Sequence, residues 1–298
     1  MSIPADTVPN TTLTGVILMT IGVASLCVSD ALAKTLTDQY TPIQIMFLRN
    51  LIALPFAVVI AWRMGGRGAL RSATYPAHLL RGVLWVIATV MFFTSIHFLG
   101  LAEATALIFA APLFITALSA MFFGEHVGWR RWSAVLLGFV GVLIIVRPGS
   151  ASFQLIMLLP VATAFVYALL MLSARWVDSQ ESVWTLLLYL SGAATLISSL
   201  IVPFYWVPVQ ISNLWQFTGI ALFGTMGMTL MTQAFRIAPA VVVAPLDYTA
   251  LIWATGLGWL FWNEVPDTLT FVGAGIIIYS GVVTILRERK TQLRTDSL

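Results

Sequence analysis

The sequence predicts an all-α integral membrane protein with ten transmembrane helices in two inverted five-helix repeats and both termini cytoplasmic. Three observations support this prediction: the composition, a series of long apolar stretches, and an internal repeat. Of the 298 residues, 59% are hydrophobic and only 9% are charged, whereas about a quarter of the residues in a soluble domain are charged. The composition therefore excludes a soluble globular protein.

Ten apolar stretches are long enough to cross a bilayer. A helix that spans roughly 30 Å of hydrocarbon needs about 20 apolar residues. The stretches, each bounded by charges, proline, glycine or asparagine, run over 13–36, 42–62, 77–98, 101–123, 130–147, 152–176, 182–207, 214–236, 240–262 and 268–287. The first is too long for the apolar region of a signal peptide, and no Lys or Arg precedes it. We therefore expect it to be a retained helix.

The distribution of Lys and Arg sets the predicted orientation, because positively charged loops stay cytoplasmic. With the amino terminus inside, the outer side holds only Lys34 and Arg147, and Arg49 lies within a span. The other 12 of the 15 basic residues fall on the cytoplasmic side: Arg63, Arg67, Arg71, Arg81, Arg130, Arg131, Arg175, Arg236, Arg287, Arg289, Lys290 and Arg294. The net charge of +3 thus reflects membrane topology rather than nucleic-acid binding.

The two halves of the chain resemble each other. "MFFGEHVGWRRW" (121–132) aligns with "LFWNEVPDTLTF" (260–271), which pairs Glu125 with Glu264 at an offset of 139. Five spans per half insert the halves in opposite orientations, and such inverted repeats in secondary transporters place the ligand near the midplane between them. The predicted organisation is a cytoplasmic segment at 1–12, a first repeat at 13–147, a second repeat at 148–287 and a cytoplasmic basic tail at 288–298.

Several stretches resemble the EamA-type drug/metabolite transporters. They are "DALAKTLTDQYTPIQIMFLRNLIALP" (30–55), "GE" at 124–125, and "APLDYTALIWATGLGWLFWNEVP" (244–266). The resemblance implies ten helices in two inverted repeats and export of small metabolites, often amino acids; the best match among subfamilies is the aromatic amino acid exporters. This chain has "CVSD" (27–30) where many relatives have Trp-Gly-x-Asn, so a role tied to that Asn does not carry over.

Two charges lie inside the first two spans. Asp30 and Arg49 are each about 10 Å from the outer surface, at 1.5 Å per residue, and a charge inside a span is expected to face the bundle interior with a partner. We therefore expect an Asp30–Arg49 ion pair, with Lys34 extending outward to the interface. The pair could clamp two helices together, attract a substrate carboxylate, or couple transport to protons through Asp30.

Asp247 follows Pro245 in the ninth stretch and precedes Tyr248. A proline inside a span frees a backbone carbonyl and bends the helix, which can expose polar backbone to a cavity. Asp247 and Tyr248 are therefore candidate site residues. The alternative is that helix-end amides satisfy Asp247 near the cytoplasmic rim.

Polar and aromatic side chains within other spans are candidate substrate contacts. Thr229 and Gln233 are four residues apart and share a helix face, where they could bind an amino acid or only join helices. Apolar walls with a few polar groups suit a ligand of mixed character. The remaining candidates are Trp85, Thr89, Phe109, Tyr167 and Trp253. Glu125, Glu264 and Asp267 lie at helix-connecting turns and are interpreted as helix caps.

Other classes of chemistry have little support. Cys27 is the only cysteine, and the three histidines lack ligand spacing, so we expect no metal site and no cofactor. There is no phosphate-binding loop, which argues against ATP as the energy source. An intramembrane enzyme would need clustered titratable groups, and a channel would need rings of similar groups. Neither pattern is found.

The sequence thus predicts a secondary transporter rather than an enzyme. The predicted activity is export of small metabolites, with aromatic or large apolar amino acids as the expected substrates, by alternating access around a midplane cavity. Another metabolite or a drug-like compound is the alternative substrate. The expected partners are the small-molecule substrate and the lipid bilayer of a bacterial inner membrane, without nucleic acid. One chain holds both halves, so a monomer could function, and a dimer stays open.

Overall fold

The computed structural model describes residues 8–123, 128–150, 153–178, 180–238 and 240–295, and its regular structure there is entirely helical. The helices are α1 (Val8–Leu36), α2 (Pro42–Gly65), α3 (Tyr75–Phe98), α4 (Leu101–Ile108), α5 (Ala111–Phe123), α6 (Trp129–Val146), α7 (Leu158–Leu172), α8 (Val183–Ile201), α9 (Leu214–Ile237), α10 (Ala240–Val243), α11 (Ala250–Trp262) and α12 (Thr268–Thr295). The prediction of an all-α membrane protein is confirmed.

Within these ranges, six helical segments are long and apolar enough to cross a membrane: Leu13–Leu36, Pro42–Gly65, Tyr75–Phe98, Leu101–Phe122, Leu155–Trp176 and Val183–Tyr205. Two shorter apolar segments are Trp132–Val146 and Thr268–Val283. The helix α9 has 24 residues, which is sufficient length, but Gln216, Gln233 and Arg236 make it more polar. Two helices extend furthest beyond their predicted bounds: α1 begins at Val8 and α12 continues to Thr295.

Two predicted spans are interrupted. The stretch 101–123 forms α4 and α5, separated by a turn at Phe109 and Ala110. The stretch 240–262 forms α10, a 3-10 segment at Ala244–Thr249 that contains Pro245, and α11. The two breaks are related by the sequence offset of the repeat, because 109 plus 139 is 248. Non-helical backbone at membrane depth is tolerated where it is buried in protein or lines a cavity.

The connections between helices gather at two ends of the bundle. At one end, Lys34 contacts Leu99 and Glu264, while Gln44 bonds to Val207. We call this the Lys34 end. At the other end, Glu181 bonds to the α2–α3 connection through Ser72 and Thr74; we call this the Glu181 end. The connections α1–α2, α3–α4, α8–α9 and α11–α12 lie at the Lys34 end, and α2–α3 and α7–α8 lie at the Glu181 end.

Helix packing is paired between the two halves of the chain. The most extensive contact joins α1 to α9, and its counterpart by position in the other half joins α7 to α3. Likewise, the contact of α3 with α8 has its counterpart in the contact of α9 with α2. The contact of α5 with α7 has its counterpart in the contact of α11 with α1. Three contacts join helices of equal rank in each half: α2 with α8, α6 with α12, and α4 with α11.

Glycines allow close approach at two of these contacts. A Cβ on Gly227 of α9 would lie 2.8 Å from the carbonyl oxygen of Gly22 on α1. Between α6 and α12, a Cβ on Gly141 would lie 2.7 Å from the Gly273 carbonyl oxygen, and the converse distance is also 2.7 Å. Small residues at such crossings let helices pack backbone to backbone in a membrane, where the hydrophobic effect contributes little to association.

Candidate functional site

A cavity lies between two helices of each half of the chain. It contains about 600 Å³ of empty space, a figure that includes the open mouth and the solvent there. Along α2 it runs from Arg49 to Ala61, roughly 18 Å toward the Glu181 end at 1.5 Å per residue. Its wall is formed by Arg49, Asn50, Ala53, Ala57, Ile60 and Ala61 of α2, Trp85 of α3, Trp184, Leu187, Leu190 and Ser191 of α8, and Gly224, Thr225, Met228 and Thr229 of α9.

Arg49 is the cationic residue of this wall. It is only 9% exposed, and its guanidinium carbon lies 5.8 Å from the centre of the Trp85 ring. On the other side it approaches the backbone of α9, where a Cβ added to Gly224 would be 3.0 Å from Arg49 Nη2. Both Arg49 and its neighbours are described by the structure, and none of the hydrogen bonds or ion pairs there uses the guanidinium.

The predicted Asp30–Arg49 ion pair is absent. Both residues are described, and no ion-pair contact joins them, although Asp30 is near enough to interact electrostatically with Arg49. The expectation that they are neighbours holds, but the clamp does not form. Arg49 instead stacks against Trp85 and faces Gly224, so its hydrogen-bond donors are directed at the cavity side rather than at a carboxylate of the chain.

Two predicted substrate contacts, Trp85 and Thr229, lie on the cavity wall. The Thr229 hydroxyl donates to the Thr225 carbonyl oxygen at 2.7 Å, which leaves its oxygen available to accept a bond from a ligand. Sequence reasoning missed Asn50 and Trp184. Asn50 adjoins Arg49 and could have been found from that position, whereas Trp184 reaches the cavity only through the packing of α2 on α8.

A second group of predicted residues surrounds the break before α11. The Phe109 and Tyr248 rings, which the repeat offset relates, meet edge to face with centroids 5.0 Å apart. The Tyr248 hydroxyl, close to Gly281, is buried without a hydrogen-bond partner in the part of the chain that the structure describes. Asp247 is exposed and interacts electrostatically with Tyr167 and Tyr248. Its carboxylate accepts no hydrogen bond from any described residue, so the alternative in which helix-end amides satisfy it is wrong.

Three other predicted contacts lie apart from both groups. Thr89 is buried on α3 without reaching the cavity wall. Gln233 accepts a 3.5 Å hydrogen bond from Arg236 near the Glu181 end of α9. Trp253 is 40% exposed on α11. The structure therefore brings together only part of the set that sequence reasoning selected.

Comparison with known proteins identifies the chain. The profile of the EamA-like transporter family matches residues 13–147 and again residues 154–287, which together make up most of the sequence. The chain belongs to the EamA-like transporter family.

Its relatives in this family are transporters of different metabolites. It is 28% identical to the pseudopaline exporter of Pseudomonas aeruginosa, covering 93% of this chain and 97% of the relative. The S-adenosylmethionine uptake transporter of Rickettsia prowazekii is 25% identical, with coverages of 94% and 95%. The riboflavin transporter of Vibrio cholerae is 30% identical, with coverages of 83% and 84%. The chain is thus a small-molecule transporter and not an enzyme.

The fold agrees with this membership. A solved crystal structure with 18% sequence identity matches 94% of this chain and 98% of its own length, with a TM-score of 0.63. At that identity the likeness establishes the fold alone. Together with the membrane-spanning helices, family membership makes the chain a multi-pass protein of the bacterial inner membrane, as predicted.

At the Lys34 end of this EamA-like transporter lies an ion pair that sequence reasoning missed. Lys34 is 6% exposed, and its ammonium lies 2.7 Å from both carboxylate oxygens of Glu264 and 2.8 Å from the Leu99 carbonyl oxygen. The prediction that Lys34 extends outward is therefore wrong, because a carboxylate 230 residues away satisfies the ammonium inside the protein. Glu264 also accepts from the Leu101 amide at 3.2 Å, so it caps α4.

A second bridge lies beside it. Asp267 pairs with Arg147 and accepts bonds from the Thr270 amide and hydroxyl, so its predicted role as the cap of α12 is confirmed. The hydrogen bonds from Arg147 and Thr270 lower the pKa of Asp267 to about 2. The predicted cap Glu125 lies outside the described residues.

At the Glu181 end, one carboxylate organises the loop between α2 and α3. Glu181 accepts bonds from Ser72, Thr74 and the Ala73 amide and contacts His78 at 2.8 Å. Burial opposes ionisation of Glu181, but the hydrogen bonds from Ser72, His78 and Thr74 outweigh it and lower its pKa to about 2. This network joins the connections α2–α3 and α7–α8, which belong to different halves.

Proposed function

We propose that this protein is a secondary transporter that moves a small metabolite across the inner membrane by alternating access between two inverted repeats. The observation that carries the proposal is the cavity itself, whose wall is shared between α2 and α3 of one half and α8 and α9 of the other. A ligand site at the interface of two repeats is the arrangement used by transporters whose halves rock around a fixed site.

The paired packing supports an inverted repeat. The first helix of the first half, α1, packs on the third helix of the second half, α9. In the same way, the first helix of the second half, α7, packs on the third helix of the first half, α3. The first half begins at the Glu181 end and the second at the Lys34 end, so the equivalent helices run in opposite directions. We assign residues 13–147 and 148–287 to the two repeats, flanked by the terminal segments 1–12 and 288–298, and a single chain then supplies a complete site.

The state of the two ends fits one stage of such a cycle. The Lys34–Glu264 pair joins the first half to the second, and so does Arg147–Asp267, while the cavity extends toward the Glu181 end. The positive-inside rule places the Glu181 end and both termini in the cytoplasm. We assign this arrangement to an inward-facing state that takes up a cytoplasmic solute for export.

The cavity wall favours an aromatic or large apolar amino acid. Trp85, Trp184 and Met228 provide flat or adaptable apolar surface, while Asn50 and Thr229 provide polar groups. Mostly apolar walls with a few polar groups bind ligands of mixed character. The alternative is a different metabolite, which the named relatives favour, because they are described as transporters of pseudopaline, S-adenosylmethionine and riboflavin.

Transport by the purified protein tests the proposal. Proteoliposomes would be given labelled aromatic, aliphatic and charged amino acids, riboflavin and a nucleotide sugar, with and without a pH gradient. Saturable flux of tryptophan or phenylalanine, absent from empty liposomes, is the expected result. Flux of riboflavin alone would replace the amino acid assignment, and the absence of saturable flux for every compound would contradict the proposed function.

A further inference from the structure

We infer that Arg49 is the carboxylate-binding group of the substrate site and that the transported class is an amphiphilic monocarboxylate. The inference rests on the proposed function, because it assigns the cavity between α2, α3, α8 and α9 to substrate. It adds the chemical feature that the substrate must carry and the atom group that recognises it.

The guanidinium of Arg49 lacks hydrogen-bond acceptors among the described residues. Arg49 is 9% exposed, and among the described residues it makes no hydrogen bond and no ion pair. A buried charge is costly unless it is paired and hydrogen-bonded, and guanidinium has five N–H donors and no acceptor. The cavity is the direction from which an acceptor can come.

The described acids of the protein do not supply these acceptors. Asp30 interacts with Arg49 only through space. Three other described acids have partners of their own: Glu264 binds Lys34, Asp267 binds Arg147 and Glu181 binds His78. Asp30 reduces the positive potential at Arg49 without occupying its donors.

The guanidinium of Arg49 is also flanked on two sides. Trp85 lies at 5.8 Å on one side, which is the distance range of a cation–π contact. Gly224 lets the group approach α9, because a Cβ there would be 3.0 Å from Nη2 and 3.2 Å from Nε. A planar, oriented guanidinium matches a carboxylate through two parallel hydrogen bonds.

The charge and the apolar character of the cavity wall limit the ligands that fit. Among the described residues, Arg49 is the single Lys or Arg of the cavity wall. The guanidinium of Arg236, which is not part of the wall, lies 5.5 Å from the Trp184 ring. With Asp30 nearby but not in contact, the guanidinium can pair with one carboxylate and would leave a phosphate dianion largely uncompensated. The remaining wall is largely apolar, so the rest of the ligand must be apolar or aromatic.

The test compares acids with their amides, which match them in shape and lack the charge. Purified protein in nanodiscs would be titrated with L-tryptophan, L-tryptophanamide, indole-3-acetate and indole-3-acetamide, and the apparent Kd read from thermal stabilisation. We expect each acid to bind at least about tenfold more tightly than its amide, the scale of a charge-assisted hydrogen bond. Arg49→Gln should abolish this difference, and Arg49→Lys should retain part of it.

Arg63→Gln is the matched control, because Arg63 lies on the same helix with its guanidinium 5.6 Å from the Trp62 ring but outside the cavity wall. It should keep the full preference for acids. If Arg49→Gln does not fold, Gly224→Ala crowds the guanidinium without removing it and should weaken acids selectively.

Equal stabilisation by acid and amide in the wild type, zero included, would overturn the inference, as would an acid preference that survives in Arg49→Gln. Inorganic phosphate that displaces the acids at lower concentration would also overturn it. These outcomes are separate from failure of the proposed function. Transport of neutral compounds that ignores Arg49 would leave the transporter intact and refute only the carboxylate site.

Discussion

Neutralising Glu264 should destabilise the protein more than removing Lys34, although the two form one ion pair. In Glu264→Gln, the ammonium of Lys34 stays 94% buried, since Lys34 is 6% exposed, and it loses its counter-charge. Its acceptors are then neutral: the Leu99 carbonyl oxygen and the amide oxygen of the new Gln. In Lys34→Met, the Glu264 carboxylate is 34% exposed and can be hydrated. The asymmetry follows from which charge is left in the interior.

The magnitudes follow from the same exposures. Breaking a fully buried pair costs about 3–5 kcal/mol, and an exposed pair contributes up to about 1 kcal/mol. With one partner buried and the other a third exposed, we expect a loss of about 2–3 kcal/mol for Glu264→Gln and about 1 kcal/mol for Lys34→Met. At 2–4 °C per kcal/mol, the larger loss lowers Tm by roughly 4–12 °C.

The protein contains a built-in reporter for this measurement. Cys27 is the only cysteine and is 5% exposed, so a thiol-reactive fluorescent dye reads thermal unfolding without an added label. Lys34→Met/Glu264→Gln should lose less than the sum of the single variants, by at least about 1 kcal/mol. Asp38→Asn is the control at the same end, because Asp38 is 81% exposed in its pair with His97. Additive effects, or a Lys34→Met variant that is the less stable of the two, would refute this reasoning.

Three further predictions address packing, pH and the cavity. Gly273→Ala should lower stability by about 1–3 kcal/mol through overpacking, because its Cβ would lie 2.7 Å from the Gly141 carbonyl oxygen. Gly275→Ala is the control on the same helix: its Cβ meets no neighbour, and it should be neutral in the same dye assay. Asp267→Asn should lower Tm at pH 7. The difference in Tm from the wild type should vanish as the pH falls from about 4 toward 2, because the pKa of Asp267 is lowered from 3.8 to about 2 and its stabilisation is lost on protonation. A Tm difference that persists unchanged at pH 3 would contradict this prediction. Trp85→Ala should raise KM for tryptophan in proteoliposomes while Trp253→Ala leaves it unchanged, and equal effects would disprove the assignment of the cavity.

The helices were predictable because their signal is local. Twenty apolar residues in a row determine a span whatever surrounds them, and the segments from α1 to α8 follow their stretches closely. The offset of 139 residues relates the break at Phe109 to the break at Tyr248, but the sequence analysis expected an unbroken span over 101–123. What periodicity could not show was that these two aromatic rings touch each other.

The pairing of charges was not predictable, because it joins residues that are far apart in the sequence. Lys34 and Asp30 are one turn apart on α1, so sequence proximity favoured treating Asp30, Arg49 and Lys34 as one group. The structure pairs Lys34 with Glu264 across 230 residues, and leaves Arg49 facing a cavity. Such choices depend on how α1 packs against α4 and α11, which the sequence encodes only through the whole fold.

The central claim is that one cavity between the two halves opens alternately to each side, and side-specific labelling of Thr229→Cys tests it most directly. In a Cys27→Ala background, a membrane-impermeant maleimide would be added to one side of oriented proteoliposomes at a time. We expect labelling from the Glu181 side at rest, and from the Lys34 side once Lys34→Met/Glu264→Gln removes the closing pair. A cysteine that is labelled from the Glu181 side alone under both conditions would contradict alternating access through this cavity.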